Sequence, residues 1–553
     1  MSIRQEIAVL IDAAARAAQA AGEIPAVVLP DPAVERPARP EHGDYASSLP
    51  MRLARAAGKN PLVLAEAIAR RVAPNAAVGE VAVAPPGFLN VRLADAWLAE
   101  QTNVILAAGA GFAESDLGGG RSLQVEFVSA NPTGPLHVGN GRWASIGDSL
   151  ARVLAAAGWA VEREYLVNDQ LTQVDAFART LLARYKQLLG ANVQIPADAY
   201  PGEYVVDLAK QAYEEFGDRF RGAEEPPAEL KRLGVERMVA MIRDDLAAMN
   251  VRYDVWFYES ALYGESGTYG EAMERLRRQG AVVEKEGAVW FASSALGEDK
   301  DNVLIRSTGV PTYFASDIAY HYDKFFKRGF DRVIDIWGAD HQGHVSRVKT
   351  AVAALGVEEG RLAIIIGQLV GLRRGGEVVR ASKRAGEIIT LREVVDEVGA
   401  DACRFFFLQR SADAQMEFDL DLAKRQSNEN PVYYVQYAHA RAAGILTTAA
   451  ERGAGWEDGD VALLRHPAEL ALLRKMLLLP ELVESIAESL EPHHLPHYAL
   501  ELATAFHDFY EKCRVISDDD PALTRARLRL AAAAKVVLGR ALGLMGMSAP
   551  ERM

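Results

Sequence analysis

Apolar and polar positions change period several times along the chain, and each change marks an element. The opening IRQEIAVLIDAAARAAQAAG repeats apolar side chains at spacings of three and four, which predicts an amphipathic helix. A Pro-rich link, PDPAVERPARPEHGDYAS, separates it from a second helical stripe around LVLAEAIARRVA and from the short strands of VGEVAVAPPGFLNVRL. Residues 1–118 therefore read as a small α+β accessory domain, closed by the three glycines of GFAESDLGGGRS. From there to about residue 399 strands and helices alternate, with LQVEFV, VEREYLV, RVIDIWG and LAIIIGQLV as the clearest strands, so an α/β domain built on a parallel sheet is expected. A mainly helical insertion, about 168–300, interrupts it and ends in the hairpin-like AVVEKEGAVWFA. After Gly399 strand signals disappear. The stripes of ALLRKMLLLPELVESIAESL and LATAFHDFYEKCRVI predict an all-helical domain over 400–553.

Composition narrows the class. At 553 residues, half of them apolar, the chain is too long for one core and too apolar for disorder. No run approaches ~20 consecutive apolar residues and the N-terminus lacks a signal-peptide core, so a cytoplasmic protein without a membrane partner is expected; a monomer is the default expectation, and no pattern in the sequence sets the oligomeric state. Cys403 and Cys513 lie far apart without a CxxC pair, which argues against disulfides and structural zinc. His493, His494 and His497 crowd a Pro-rich helix junction, and His341 and His344 flank a turn; neither group is expected to hold a metal. The net charge of −14 at pH 7 disfavours non-specific binding to nucleic acid, but local basic clusters such as GLRRGGEVVRASKR and TRARLRLAAAAK keep an RNA partner open.

The candidate chemistry begins where LQVEFV ends in the turn NPTGP and a helical stripe of Trp143, Ile146, Leu150, Val153 and Leu154 follows. Ligands bind outside the carboxyl ends of strands in open α/β sheets, and a helix N-terminus offers free N–H groups to an anion. His137 can donate to a phosphate oxygen, Gly139 lets an adenine ring lie against bare backbone, and Asn140 adds an uncharged amide donor. The plainer role for His137 is to cap the turn. Downstream, a Gly-flanked basic loop carries Arg380, Ser382 and Lys383, whose two cationic side chains can neutralise charge on a triphosphate. Glu126 lies inside an apolar strand, where a carboxylate needs a cationic partner, and that partner can be a ligand. With Asn131, Tyr313 and Asp317 it makes two acids, an amide and a phenol, the set a guanidinium's five donors require. Plainer roles are open here as well: Asp317 as a helix N-cap, Tyr313 as core.

The strand, NPTGP turn and helix around HVGN resemble the HIGH element of class I aminoacyl-tRNA synthetases, and RASKR resembles their KMSKS loop. EFVSANPTGPLHVG, YFASDIAYHYDKF, WGADHQGHVSR, GADACRFFFLQR and the terminal LGLMGMSAPERM are more specifically similar to arginyl-tRNA synthetases, over essentially the whole chain. That resemblance implies a Rossmann-like class I catalytic domain with helical insertions, an N-terminal tRNA-binding domain and a C-terminal anticodon-binding domain. It implies arginine, ATP with Mg²⁺, and tRNA as ligands. Glu126, Asn131, Tyr313, Asp317 and Gln342 would read arginine; Gly338, Asp340 and His341 would line the ATP side with His137, Gly139, Asn140, Ser382 and Lys383; His137, Asn140, Arg380 and Lys383 would stabilise the reacting phosphates. The activity implied is arginyl-adenylate formation followed by transfer to the terminal adenosine of tRNA, with activation dependent on tRNA. Both signatures are altered, Asn140 for a histidine and Arg380-Ala381 for lysine-methionine. A non-catalytic paralogue that binds tRNA or senses arginine therefore stays open, as does a synthetase for another amino acid. Phe506, Phe509, Tyr510, Lys512 and Arg514 offer a stacking surface for anticodon-loop bases, although the three aromatics also fit a core stripe.

Overall fold

A sheet of five parallel strands organises the middle of the chain: Leu362–Gly367, Arg332–Gly338, Ser122–Phe127, Ala160–Val167 and Val255–Tyr258, in that spatial order. Numbered along the sequence this is 5-4-1-2-3, the doubly wound arrangement, and the order reverses between Ser122–Phe127 and Arg332–Gly338. The computed structural model describes residues 2–170, 172–264, 266–379 and 389–553. Three of the four strands read from sequence fall where expected; LAIIIGQLV divides into Leu362–Gly367 and a second strand, Val370–Arg374.

Two expectations change. The segment read as one helical insertion holds the helices Thr172–Leu188, Glu203–Phe216 and Ala228–Ala248, but then returns Val255–Tyr258 to the central sheet. Four residues are too few to show a period, and a short aromatic run reads equally well as a helix end. The hairpin Val282–Lys285 and Ala288–Phe291 is present, turning through Glu286 and Gly287 at positive φ, and Asn302–Ile305 pairs beside it. Beyond Gly399 the chain is helical except for Met416–Asp419, which pairs in parallel with Val370–Arg374. Its alternation of buried Met416 and Phe418 with Glu417 is a strand signal of only four residues.

Phe127 and Gly147 explain how tightly the first strand meets the helix Val138–Ala156. A Cβ at Gly147 would collide with the Phe127 ring, so the helix lies directly on the strand. Buried arginines fix the far side of the same helix. Arg142 donates to the carbonyls of Gln368, Ala414 and Ser411 at 3.0, 2.8 and 2.7 Å. Arg404, on the helix Ala400–Leu408, pairs with Asp148 at 2.5 Å and donates to the Met545 carbonyl at 2.6 Å.

The N-terminal part packs the helices Ile3–Ala20, Leu49–Ala57 and Pro61–Ala69 on a four-stranded sheet. It docks on the C-terminal helices through Arg36 to Glu481 and Arg474 to Asp44, at 3.0 and 2.8 Å. Among the described residues no helix is long and apolar enough to cross a membrane, and both cysteines are buried and unpaired.

Candidate active site

A cavity of about 580 Å³ opens at the carboxyl ends of Ser122–Phe127 and Arg332–Gly338, where the strand order reverses. The first strand leaves the sheet through Val128 and Ser129, both at positive φ. For a β-branched valine that is a strained conformation, and the hydrogen bonds of its neighbour hold it in place. Ser129 Oγ donates to Glu126 at 2.9 Å and accepts from Leu166 N–H at 3.0 Å. The NPTGP turn is pinned from the insertion, where the Tyr204 hydroxyl donates to the Thr133 carbonyl at 2.6 Å.

His137 is the N-cap of the helix Val138–Ala156. Gly139 N–H donates to its Nδ1 at 3.1 Å, and its own N–H donates to Asn140 Oδ1 at 3.0 Å, a reciprocal capping box. The capping role and the ligand role thus use different atoms. With Nδ1 accepting, the neutral ring carries its proton on Nε2, and Asn140 keeps its Nδ2–H₂ as a donor. His137 stands exposed at the cavity mouth, yet the protein packed around it still holds its pKa below the ordinary value. A Cβ at Gly139 would press on the His137 ring at 3.0 Å.

The opposite wall is the helix Tyr313–Tyr322. Its N-cap is Thr312, whose hydroxyl accepts from Ala315 N–H, so Asp317 is not a cap. Asp317 faces the cavity, and burial pushes its carboxyl up to about 7. Tyr313 is half exposed rather than core, its hydroxyl 3.1 Å from Thr172 Oγ1. Beside Asp317 lies Glu259, which sequence reasoning missed. It is 4 % exposed, burial raises its pKa, and its Oε2 has no hydrogen-bond partner among the described residues. Nothing local in YESAL distinguishes it; only the fold brings it to the cavity.

Glu126 lines the cavity too, but its cation comes from within the chain: Lys324 Nζ donates to it at 2.7 Å and to Asp335 at 2.8 Å. Its buried charge is therefore compensated before any ligand arrives. Asn131 donates to Gln173 and accepts from Asn168, at 2.5 and 3.2 Å. Gly338 ends the fourth strand in sequence, and Asp340 and His341 come after it on the rim in the 3₁₀ turn Ala339–His344. Gln342 shares that turn, is exposed, and does not line the cavity. Trp143 packs between Gly338 and Gly367, where a Cβ on either glycine would meet its ring.

Arg380, Ser382 and Lys383 lie outside the described residues. The flanking chain is informative: the strand Glu377–Val379 leads in, and on the other side Thr390 bridges to His137 while Leu391 N–H donates to the Leu136 carbonyl at 2.7 Å.

A second cavity, of about 1050 Å³, lies among the C-terminal helices. Arg441 is stacked between Tyr437 and Tyr510, 4.5 and 4.7 Å from their ring centres, and Arg452, Arg514 and Arg552 share the lining. Of the aromatics considered for base stacking, Phe506 and Phe509 are fully buried core and Tyr510 is 41 % exposed. Lys512 pairs with Asp508 at 2.7 Å.

Three family models match the chain in succession: the arginyl tRNA synthetase N terminal domain over residues 3–93, the catalytic domain of tRNA synthetases class I (R) over 102–417, and the DALR anticodon binding domain over 435–553. The arginine–tRNA ligase of Dehalococcoides mccartyi is 51 % identical over 555 residues, covering 100 % of this chain and 99 % of the relative. That of Heliobacterium modesticaldum is 47 % identical over 561 residues with the same coverage. The Thermus thermophilus arginyl-tRNA synthetase, 24 % identical, superposes over 100 % of both chains with a TM-score of 0.74, a likeness of fold. A helix N-terminus that faces carboxylates across one cavity at the switch point, in a chain matched from end to end by these relatives, places this protein in the arginyl-tRNA synthetase family of class I.

Proposed function

We propose that the chain is an arginine–tRNA ligase whose switch-point cavity binds arginine and ATP side by side. The observation that carries this reading is that one cavity joins the capped helix N-terminus at His137 to two acids, Asp317 and Glu259, that form no ion pair among the described residues, Arg347 in the same lining acting on Asp317 only through space. A guanidinium with five donors supplies the missing charge. Arginine must present its carboxylate to the phosphate side, so its guanidinium lies toward Asp317, Glu259 and Tyr313. Its α-amino end then lies toward Glu126, near the end of the first strand, and Asn131, in the turn that leads to His137.

In the first step the arginine carboxylate attacks the α-phosphorus of ATP, forming arginyl-adenylate and releasing pyrophosphate. In the second, a ribose hydroxyl of the terminal adenosine of tRNA, the 2′-hydroxyl by likeness to class I enzymes, attacks the acyl carbon and AMP leaves. No protein nucleophile is required. His137 Nε2–H, Asn140 Nδ2–H₂ and the helix dipole meet the phosphate charge, and the loop cations Arg380 and Lys383 join from a segment flanked by Thr390 at His137. Asp340, 80 % exposed on the rim beside His137, would repel a triphosphate unless a cation lies between them, so the site fits Mg²⁺ brought with ATP. The bound ion would add charge neutralisation at the triphosphate.

The C-terminal cavity, with Arg441 held between tyrosines, offers cation and ring faces to unpaired anticodon bases, and Arg452, Arg514 and Arg552 in the same lining offer phosphate contacts. The ligase would work in the cytoplasm as a monomer. Pyrophosphate exchange measured with each amino acid, with and without tRNA, tests the reading: exchange should appear with arginine alone among them and should depend on tRNA. Equal exchange with lysine would refute the assignment of the pocket.

A further inference from the structure

Glu126 and Asp335 stand directly opposite one another on adjacent parallel strands, both buried. Two such carboxylates repel each other unless a cation lies between them. Lys324, 0 % exposed, fills that position with its ammonium 2.7 Å from Glu126 and 2.8 Å from Asp335. It arrives there through a π-helical turn, Asp323–Lys327, in which Arg328 N–H donates to the Asp323 carbonyl at 2.9 Å. The extra residue in that turn places Lys324 inward while Lys327 stays in solvent. The same stretch of chain carries His321, whose Nε2 meets Asp335 at 2.9 Å and whose Nδ1 meets the Asp317 carbonyl at 2.7 Å. One buried web thus ties Glu126 on the sheet to the helix that presents Tyr313 and Asp317.

We propose that Lys324 is a positioning residue for arginine recognition: by bridging Glu126 and Asp335 it fixes the Glu126 carboxylate, and the helix bearing Asp317, in the arrangement that receives the amino acid. The proposal rests on the reading that Glu126 belongs to the arginine site. Lys324 touches neither substrate; it acts through the two acids. The groups facing Glu126 besides Lys324 and Asp335 are Ser129, Asp317, Tyr320, Glu164 and Tyr253, with His321 one step further through Asp335. Burial pushes the Glu126 carboxyl up and Lys324 draws it down, so loss of the ammonium leaves Glu126 protonated to a higher pH.

Lys324→Met alone strands two buried carboxylates and risks the fold, so the informative variant is Lys324→Met/Asp335→Asn, compared with Asp335→Asn and Glu126→Gln. The double variant should raise the arginine KM about tenfold or more, leave the ATP KM within about twofold, and move the acid limb of kcat/KM for arginine to higher pH. Asp335→Asn, which keeps the Lys324–Glu126 pair, should change the arginine KM by less than about threefold. A folded double variant whose arginine KM and acid limb match those of wild type would overturn the role of Lys324, provided Glu126→Gln raises the arginine KM. If Glu126→Gln itself leaves that KM unchanged, the placement of Glu126 in the arginine site falls, and the proposal with it.

Discussion

Asp317 is the fifth residue of its helix and has no capping work to do, because Thr312 already holds the helix N-terminus. What remains for a carboxylate in a cavity is charge, and burial sets the pH at which that charge exists. With its carboxyl pushed up to about 7, Asp317 is neutral in much of the free protein below that pH and ionised above it. Only the ionised form pairs with a guanidinium. The kcat/KM for arginine should therefore fall as pH drops through about 7, while kcat, measured with the cation already bound, should hold to lower pH. Asp317→Asn should abolish that limb and raise the arginine KM about tenfold or more, since a hydrogen bond to a charged group contributes about 1.5–3 kcal/mol. An unchanged limb in the variant would assign the titration to Glu126 or Glu259, the other carboxyls of the cavity that burial raises. The sequence offers Asp317 as a cap in place of Thr312, because an aspartate ahead of an apolar stripe carries the same signature. The Glu126 to Lys324 pair is not readable there, because it joins residues 198 positions apart and no local pattern reports it.

At the scale of elements, legibility follows length and period. RVIDIWG is an unbroken seven-residue strand signal and appears as Arg332–Gly338; VWFY is four residues after a long helix and merges into the insertion when read from sequence. The strand, turn and helix around His137 are readable because NPTGP breaks two strong periods in succession. Close packing by Gly147 on Phe127 is not, since a glycine inside a helix reads first as a weak point. Thr390, just beyond the segment that carries Arg380 and Lys383, bridges to His137, which supports a role for those cations on the phosphate side. Lys383→Ala should lower kcat for adenylate formation by about 10²-fold with little change in either KM, the pattern of a contact made chiefly in the transition state. A single-turnover rate equal to wild type would shift that work to Arg380 or Arg384.

Across the whole molecule the catalytic and C-terminal parts are joined by buried charge. Arg404 reaches from the helix Ala400–Leu408 to Asp148 on the helix that begins at His137, and a Cβ at Gly546 would collide with the Arg404 guanidinium. Truncation before residue 400 would thus leave Asp148 buried beside only Arg152 and Arg163 and disturb the site itself, so point variants separate RNA binding from catalysis more cleanly. Arg441→Ala should weaken tRNA binding by about tenfold, the scale of a lost stacking or cation–π contact, while the arginine KM stays within about twofold. Unaltered tRNA affinity would remove the C-terminal cavity from the interface.

Whether the switch-point cavity selects an amino acid by the charge of its guanidinium is tested by comparing arginine with citrulline in aminoacylation of tRNA. Citrulline keeps the length and shape of arginine and replaces the guanidinium by a neutral urea, so it would bring no cation to the carboxylates of Asp317 and Glu259. A site built around buried polar groups rejects a ligand that leaves them unpaired by about 10³-fold or more in kcat/KM. Arginine is expected to be charged and citrulline to be rejected by at least that factor. Charging of citrulline within about tenfold of arginine would contradict selection by charge.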